Sequence, residues 1–281
     1  MENENESKAY PKIKNAVLLC LLFLGVQIGA GIIIGIIFAV FRINEESLTY
    51  GITIIILNLL SFGLVIFIGF KKTKQKFNEV FKFNKVSPAH WLAIVIFMFG
   101  FIIVSSEIDN IINYVIPMPD FLQNLFETIM VKQMFIVSII LVGIIPAFAE
   151  EMFFRGLLLN GFQKNYSDKK AILISSLLFG IIHLNPWQFV TAFIIGLVMA
   201  WIYINTKSIL LCIYMHLFNN MMGVIAIKYK GVFSVEGFNS AYSQEMFQPI
   251  WFDLTGIIIT AIGVLLLIRA VKKTKTVTEQ P

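Results

Sequence analysis

The residues best suited to chemistry lie inside apolar runs. Glu150, Glu151 and Arg155 occur in Ala-Glu-Glu-Met-Phe-Phe-Arg-Gly, Phe179 and His183 in Phe-Gly-Ile-Ile-His, and His216 and Asn220 in His-Leu-Phe-Asn-Asn. The chain has three histidines, and two of them are these. An ionisable side chain in a bilayer costs about 2.5–3.5 kcal/mol on insertion scales, so it turns toward a partner or a cavity. A carboxylate beside an imidazole activates water. On that chemistry Glu150 is the general base, and His183 orients the water or carries its proton onward. His216 and Asn220 donate hydrogen bonds to an oxyanion. The result is a hydrolase, expected to cleave a peptide bond reached from within the membrane. The same four groups, Glu150, His183, His216 and Asn220, also suit zinc or a similar divalent ion. The one-helix zinc motif His-Glu-x-x-His is absent, and so is Gly-x-Ser-x-Gly for a serine nucleophile. A proton or ion relay is a further use of intramembrane Glu and His.

Spacing separates the two glutamates. Glu151 and Arg155 are four apart and face each other along a helix, which reads as a neutralising ion pair. Glu150 is turned about 100° away and has no basic partner at helical spacing. Phe179 shares a face with His183, and His216 with Asn220. Pro146, four residues before Glu150, removes a backbone donor beside the site. At about 1.5 Å per residue, Glu150 lies roughly 21 Å from Lys164, and His183 about 18 Å from Ala171. His216 and Asn220 lie about 12 and 18 Å from Ser208. The expectation is that all four share one layer near mid-membrane.

Helices that cross a bilayer must carry that layer. Of the 281 residues, 58% are hydrophobic and 14% charged, and phenylalanine occurs 27 times. A soluble domain needs more polar surface than this, and a disordered chain has fewer aromatic and branched residues. A span takes roughly 20 apolar residues. Eight are expected, at 16–41, 48–70, 91–106, 133–164, 171–184, 188–206, 208–227 and 254–268. The fold class is therefore all-α, a polytopic membrane helical bundle forming one domain over 1–281, with its motif-bearing core at 133–227. With both termini cytoplasmic, one side gathers Lys8, Lys12 and Lys14, the lysines from Lys71 to Lys85, and Arg155, Lys164, Lys169, Lys170, Lys207, Arg269, Lys272, Lys273 and Lys275. The other side holds Arg42, Lys132, Lys228 and Lys230. The net charge of +5 is then a topology signal rather than a nucleic-acid footprint. Cys20 and Cys212 read as small buried apolar residues. Two longer outer segments, 107–132 and 228–253, are places for a lid or partner, or for interfacial aromatics such as Phe233, Phe238, Tyr242, Phe247 and Trp251.

Glu-Glu-x-x-x-Arg, Phe-x-x-x-His and His-x-x-x-Asn, in that order on separate spans, resemble the CPBP family. These are the CAAX-protease and bacteriocin-processing (Abi) intramembrane endopeptidases. The resemblance covers about Gln133 to Ile227, with the first three spans matching in hydropathy alone. It implies a glutamate-type protease with Glu150 as water activator and His183 as its partner. His216 and Asn220 become the oxyanion support, and Glu151, Arg155 and Phe179 the supporting shell. The implied mechanism needs no cofactor, with a divalent metal such as zinc as the alternative. A membrane-associated peptide or protein is the implied substrate and the lipid bilayer the setting, with no role for nucleic acid. The abundant Ile, Lys, Asn and Phe point to a bacterial plasma membrane, where relatives serve self-immunity, peptide maturation and signalling. A non-catalytic bacteriocin-immunity or scaffold protein is the alternative function.

Overall fold

The computed structural model describes residues 10–229, 235–238 and 247–278, with side chains in the last stretch described to Lys273. Lys8, Lys230, Phe233 and Tyr242 lie outside the described residues. The long helices are α1 (Ile13–Val40), α2 (Leu48–Thr73) and α4 (Pro88–Val115), with the short α3 (Phe77–Val80) between the last two. After α5 (Asp120–Glu127) and a π turn at Thr128–Lys132 comes the composite fourth span. It consists of α6 (Phe135–Ser138), a π segment at Ile139–Ile144, α7 (Ile145–Glu151), a second π segment at Met152–Leu159, and α8 (Asn160–Gln163). The chain ends with α9 (Asp168–Ile181), α10 (Pro186–Thr206), α11 (Ile209–Lys228) and α12 (Ile250–Thr278).

Among the described residues seven helices are long and apolar enough to cross a membrane, and the fold is an all-α bundle. The remaining expected span, 171–184, is the shorter α9, which leads from the end of α8 to the start of α10. It has 14 residues, about 21 Å of helix against the roughly 30 Å of a hydrocarbon core. It forms half of a hairpin with α10. Leu184, in the left-handed region at φ 56°, turns the chain. Asn185 then caps α10 by accepting from Gln188 N at 2.8 Å, and Pro186 takes the first turn, where its missing donor costs nothing. Close packing of the hairpin depends on Gly180 and Gly196. A Cβ at Gly180 would approach Phe189 O to 3.0 Å, and one at Gly196 would meet Phe179 and Ser176.

The third span also runs further than hydropathy indicates, to Val115 rather than Ser106. Part of its polar tail is satisfied internally. Glu107 Oε2 accepts from Gln248 N at 2.9 Å, and Asn113 Oδ1 accepts from Met118 N at 3.0 Å. α12 packs antiparallel along α4 with little between the backbones. A Cβ at Gly100 or Gly263 would run into the facing helix.

The predicted two-sided charge pattern has a structural counterpart. Ile13 N donates to the Tyr166 hydroxyl, Asn160 Nδ2 to the Glu79 and Val80 carbonyls, and Lys207 Nζ to Gln163 Oε1. Phe83 and Ser208 form an antiparallel bridge. These contacts gather the lysine-rich ends of α1, α2, α8, α9 and α10 on one face. Antiparallel α12 returns its basic end there too. Burial, with Lys82 nearby, holds the Lys164 amine below the usual lysine range, against the pull of Glu79. On the opposite face Lys228 Nζ donates to the Val131 and Gln133 carbonyls, and Trp187 Nε1 to the Ile116 carbonyl at 2.6 Å. Apolar side chains such as Ile33, Ile36, Leu60 and Leu92 remain exposed along the helix flanks, where lipid would cover them. Cys20 and Cys212 are both buried and free.

Candidate active site

The fourth span carries the first motif, and its irregular backbone follows from its sequence. Pro146 has no N–H to give the Val142 carbonyl one turn before it. That carbonyl instead accepts from Asn220 Nδ2 at 2.8 Å. Asn220 on α11 thus satisfies the acceptor that Pro146 leaves open. The π segment at Ile139–Ile144 adjoins this break, and the second one begins directly after Glu151. Single π turns inside α-helices commonly mark functional sites, because they rotate the following side chains out of the regular register.

Glu151 and Arg155 form the buried ionic centre. Both side chains are fully enclosed, and Arg155 Nη1 donates to Glu151 Oε1 at 2.9 Å. Arg155 Nη2 reaches the Gly196 carbonyl at 3.3 Å, and its guanidinium lies 4.4 Å from the centre of the Phe179 ring. Close approach of α10 at Gly196 is what brings that carbonyl within reach. A buried charge stripped of water needs such partners. Phe179 in turn meets both histidine rings edge-on, His183 at 5.4 Å and His216 at 5.6 Å.

Each histidine has its Nδ1 committed. His183 Nδ1 lies 2.8 Å from the Phe179 carbonyl, and His216 Nδ1 lies 2.9 Å from Glu151 Oε1. A carbonyl and a carboxylate only accept, so both Nδ1 atoms carry the proton. In the neutral rings Nε2 is therefore the atom with the free lone pair. Both rings border one cavity of about 120 Å³. Its wall also includes Phe179, Asn220, Asn219 and Asp109.

The predicted residues therefore fall into two groups. Glu151, Arg155, Phe179, His183 and His216 are linked in one chain of contacts, with Asn220 on the same cavity. Glu150 is not on that wall. Glu150 is one residue, about 1.5 Å of rise, from Glu151, but it faces elsewhere, and the contact to His216 belongs to Glu151. The cause is the rotation of about 100° between neighbours, with Arg155 drawing Glu151 toward α9–α11. Glu150 is half-buried, and its Oε2 is enclosed with no protein partner. Among the described residues no three His, Cys, Asp or Glu side chains come together as a metal site. Glu150, off the wall that carries His183 and His216, does not complete a ligand set with them.

Asp109 and Asn219 were missed by sequence reasoning. The hydropathy drop after Ser106 made Asp109 read as loop. The signal was present in Phe101, Ser105 and Asp109, spaced four apart and therefore on one helical face. All three line the cavity. Asn219 was overshadowed by its neighbour, to whose Oδ1 it donates at 3.2 Å.

Comparison with known proteins now bears on this geometry. Residues 132–222 match the family model described as type II CAAX prenyl endopeptidase Rce1-like. The match spans all three motifs, from Glu150 to Asn220, and bears out the resemblance they carry. No curated protein and no solved structure matches the chain significantly. The family match supports intramembrane endopeptidase activity as a class, and with it a membrane-associated peptide substrate. With seven membrane-length helices, the chain is an integral membrane protein.

Proposed function

We propose that the chain hydrolyses a peptide bond of a membrane-associated peptide or protein with water activated by Glu150. The observation that carries this reading is the pair of histidines whose Nδ1 atoms are fixed by Phe179 O and Glu151, leaving Nε2 of each beside one cavity. Of the two adjacent carboxylates, Glu151 is held by Arg155 and His216, while Glu150 Oε2 has no protein donor. Glu150 is therefore the one free to take a proton from water. The water oxygen attacks the scissile carbonyl carbon as its proton passes to Glu150, with His183 Nε2 orienting it. His216, in its doubly protonated form, donates from Nε2 to the oxyanion. The second amide hydrogen of Asn220, the one not bonded to Val142, joins it. Collapse breaks the C–N bond, and the proton held by Glu150 leaves with the amine, giving a carboxylic acid and an amine, which exchange a proton to become carboxylate and ammonium.

On this reading the lysine-rich face is cytoplasmic, in a bacterial plasma membrane. The substrate is a peptide or a lipid-anchored protein, of CAAX type or of bacteriocin or signal-peptide type. Glu150→Gln in full-length protein reconstituted in liposomes is expected to abolish cleavage while insertion stays normal. Normal cleavage by that variant refutes the assignment. One observation favours a second, non-catalytic reading as an immunity or scaffold protein, namely the position of Glu150 off the cavity wall. That reading wins if Glu150→Ala and His183→Ala both preserve an immunity phenotype.

A further inference from the structure

The cavity bordered by the histidines also carries an acid that the proposed hydrolysis does not use. Asp109 sits on α4, one turn beyond Ser105, and its Oδ1 is enclosed without a hydrogen-bond partner. Thr191 on α10 stands beside the carboxylate. No lysine or arginine lines this cavity among the described residues. A buried carboxylate oxygen without a donor is costly, and a cation supplied from outside is its strongest complement. The donors that the same wall offers a negative charge, His216 and Asn220, are the ones the proposed hydrolysis assigns to the oxyanion. At about 120 Å³ the cavity is well below the roughly 300–1,000 Å³ of drug-sized ligand sites. Its size suits one side chain or chain end rather than a whole peptide strand.

We infer that Asp109 is a specificity-determining residue whose carboxylate receives an ammonium or guanidinium group of the peptide substrate. This deepens the endopeptidase reading and rests on it, because His183 and His216 border the same cavity. It favours substrates with a lysine, arginine or free amino group near the scissile bond over those with an acidic residue there.

The test uses the full-length protein in nanodiscs and a set of fluorogenic, acylated peptides. A single Lys, Gln or Glu is walked along an otherwise neutral sequence. At one position the Lys peptide is expected to exceed its Gln counterpart about tenfold or more in kcat/KM, as one charge-assisted contact provides. The Glu peptide is expected to be poorest at that position. Asp109→Asn should collapse the Lys-to-Gln ratio to about one, and Asp109→Glu should keep most of it. Asp109→Ser replaces the Asn variant if that one fails to elute as a single species. A ratio unchanged by removal of the carboxylate overturns the inference, as does the lack of any Lys-preferring position. Binding of the same labelled peptides to the Glu150→Gln protein, read by anisotropy, separates the two proposals. A Lys preference in binding that Asp109→Asn abolishes supports the inference even if wild type cleaves nothing, an outcome that counts against the endopeptidase reading alone. Equal binding of the Lys and Gln peptides overturns the inference whatever the cleavage.

Discussion

Replacing Arg155 by Met is the sharpest probe of the ionic centre. The substitution keeps much of the side-chain volume and removes the charge. It deletes the 2.9 Å bond to Glu151, the bond to the Gly196 carbonyl, and the guanidinium 4.4 Å from the Phe179 ring. Both ends of the ion pair are fully enclosed, so screening by water does not soften the loss. Removing one member of such a pair costs about 3–5 kcal/mol, chiefly because the other charge stays buried, here with His216 Nδ1 as its remaining partner. The double variant Arg155→Met with Glu151→Leu removes both charges, and should recover most of that stability because no lone charge remains. It should nevertheless be inactive, since His216 Nδ1 loses its acceptor and the ring its orientation. The assay is reversible unfolding of the purified protein in bicelles, completed as a double-mutant cycle with activity measured alongside. A loss under about 1 kcal/mol for Arg155→Met, in the range of an exposed ion pair, refutes the reasoning. So does a double variant no more stable than the single one.

Other outcomes follow from the same contacts. Asn220→Leu strands the Val142 carbonyl and should cost about 1–3 kcal/mol. Pro146→Ala restores a backbone donor there and should recover part of it, which thermal unfolding of the single and double variants will show. Asn160→Ala leaves the Glu79 and Val80 carbonyls without their shared donor. It should loosen the α3 segment, seen as faster hydrogen exchange over 77–83, with activity reduced rather than abolished. A strong chelator should leave cleavage intact on the proposed mechanism, and activity lost on chelation and restored by zinc contradicts it.

What was legible in the sequence depended on which physical signal each feature leaves. Lipid-facing helices announce themselves by long uncharged runs, so α1, α2, α10 and α11 lie close to their expected ranges. The Glu151–Arg155 pair follows from helical spacing alone. The hairpin turn follows from Asn185-Pro186. Four features left no such trace. The polar end of α4 looked like a loop because hydropathy does not distinguish groups satisfied inside the bundle from groups in water. The π segments around α7 change hydrogen-bond register without changing composition. The partner of His216 was decided by which neighbouring glutamate rotates toward α11, an angle that depth counting ignores. Asn220 looked purely catalytic, and its bond to Val142 becomes intelligible only once Pro146 lies across from it.

The central claim is that Glu150 activates water for peptide-bond cleavage in the membrane. Its most direct measurement compares the membrane-associated peptides of cells expressing wild type with those of cells expressing Glu150→Gln at equal level. The account predicts at least one peptide pair, intact in the variant and cleaved in wild type, reproduced by the purified proteins in liposomes. Identical peptide profiles in both cells, or equal cleavage by the purified variant, would contradict it.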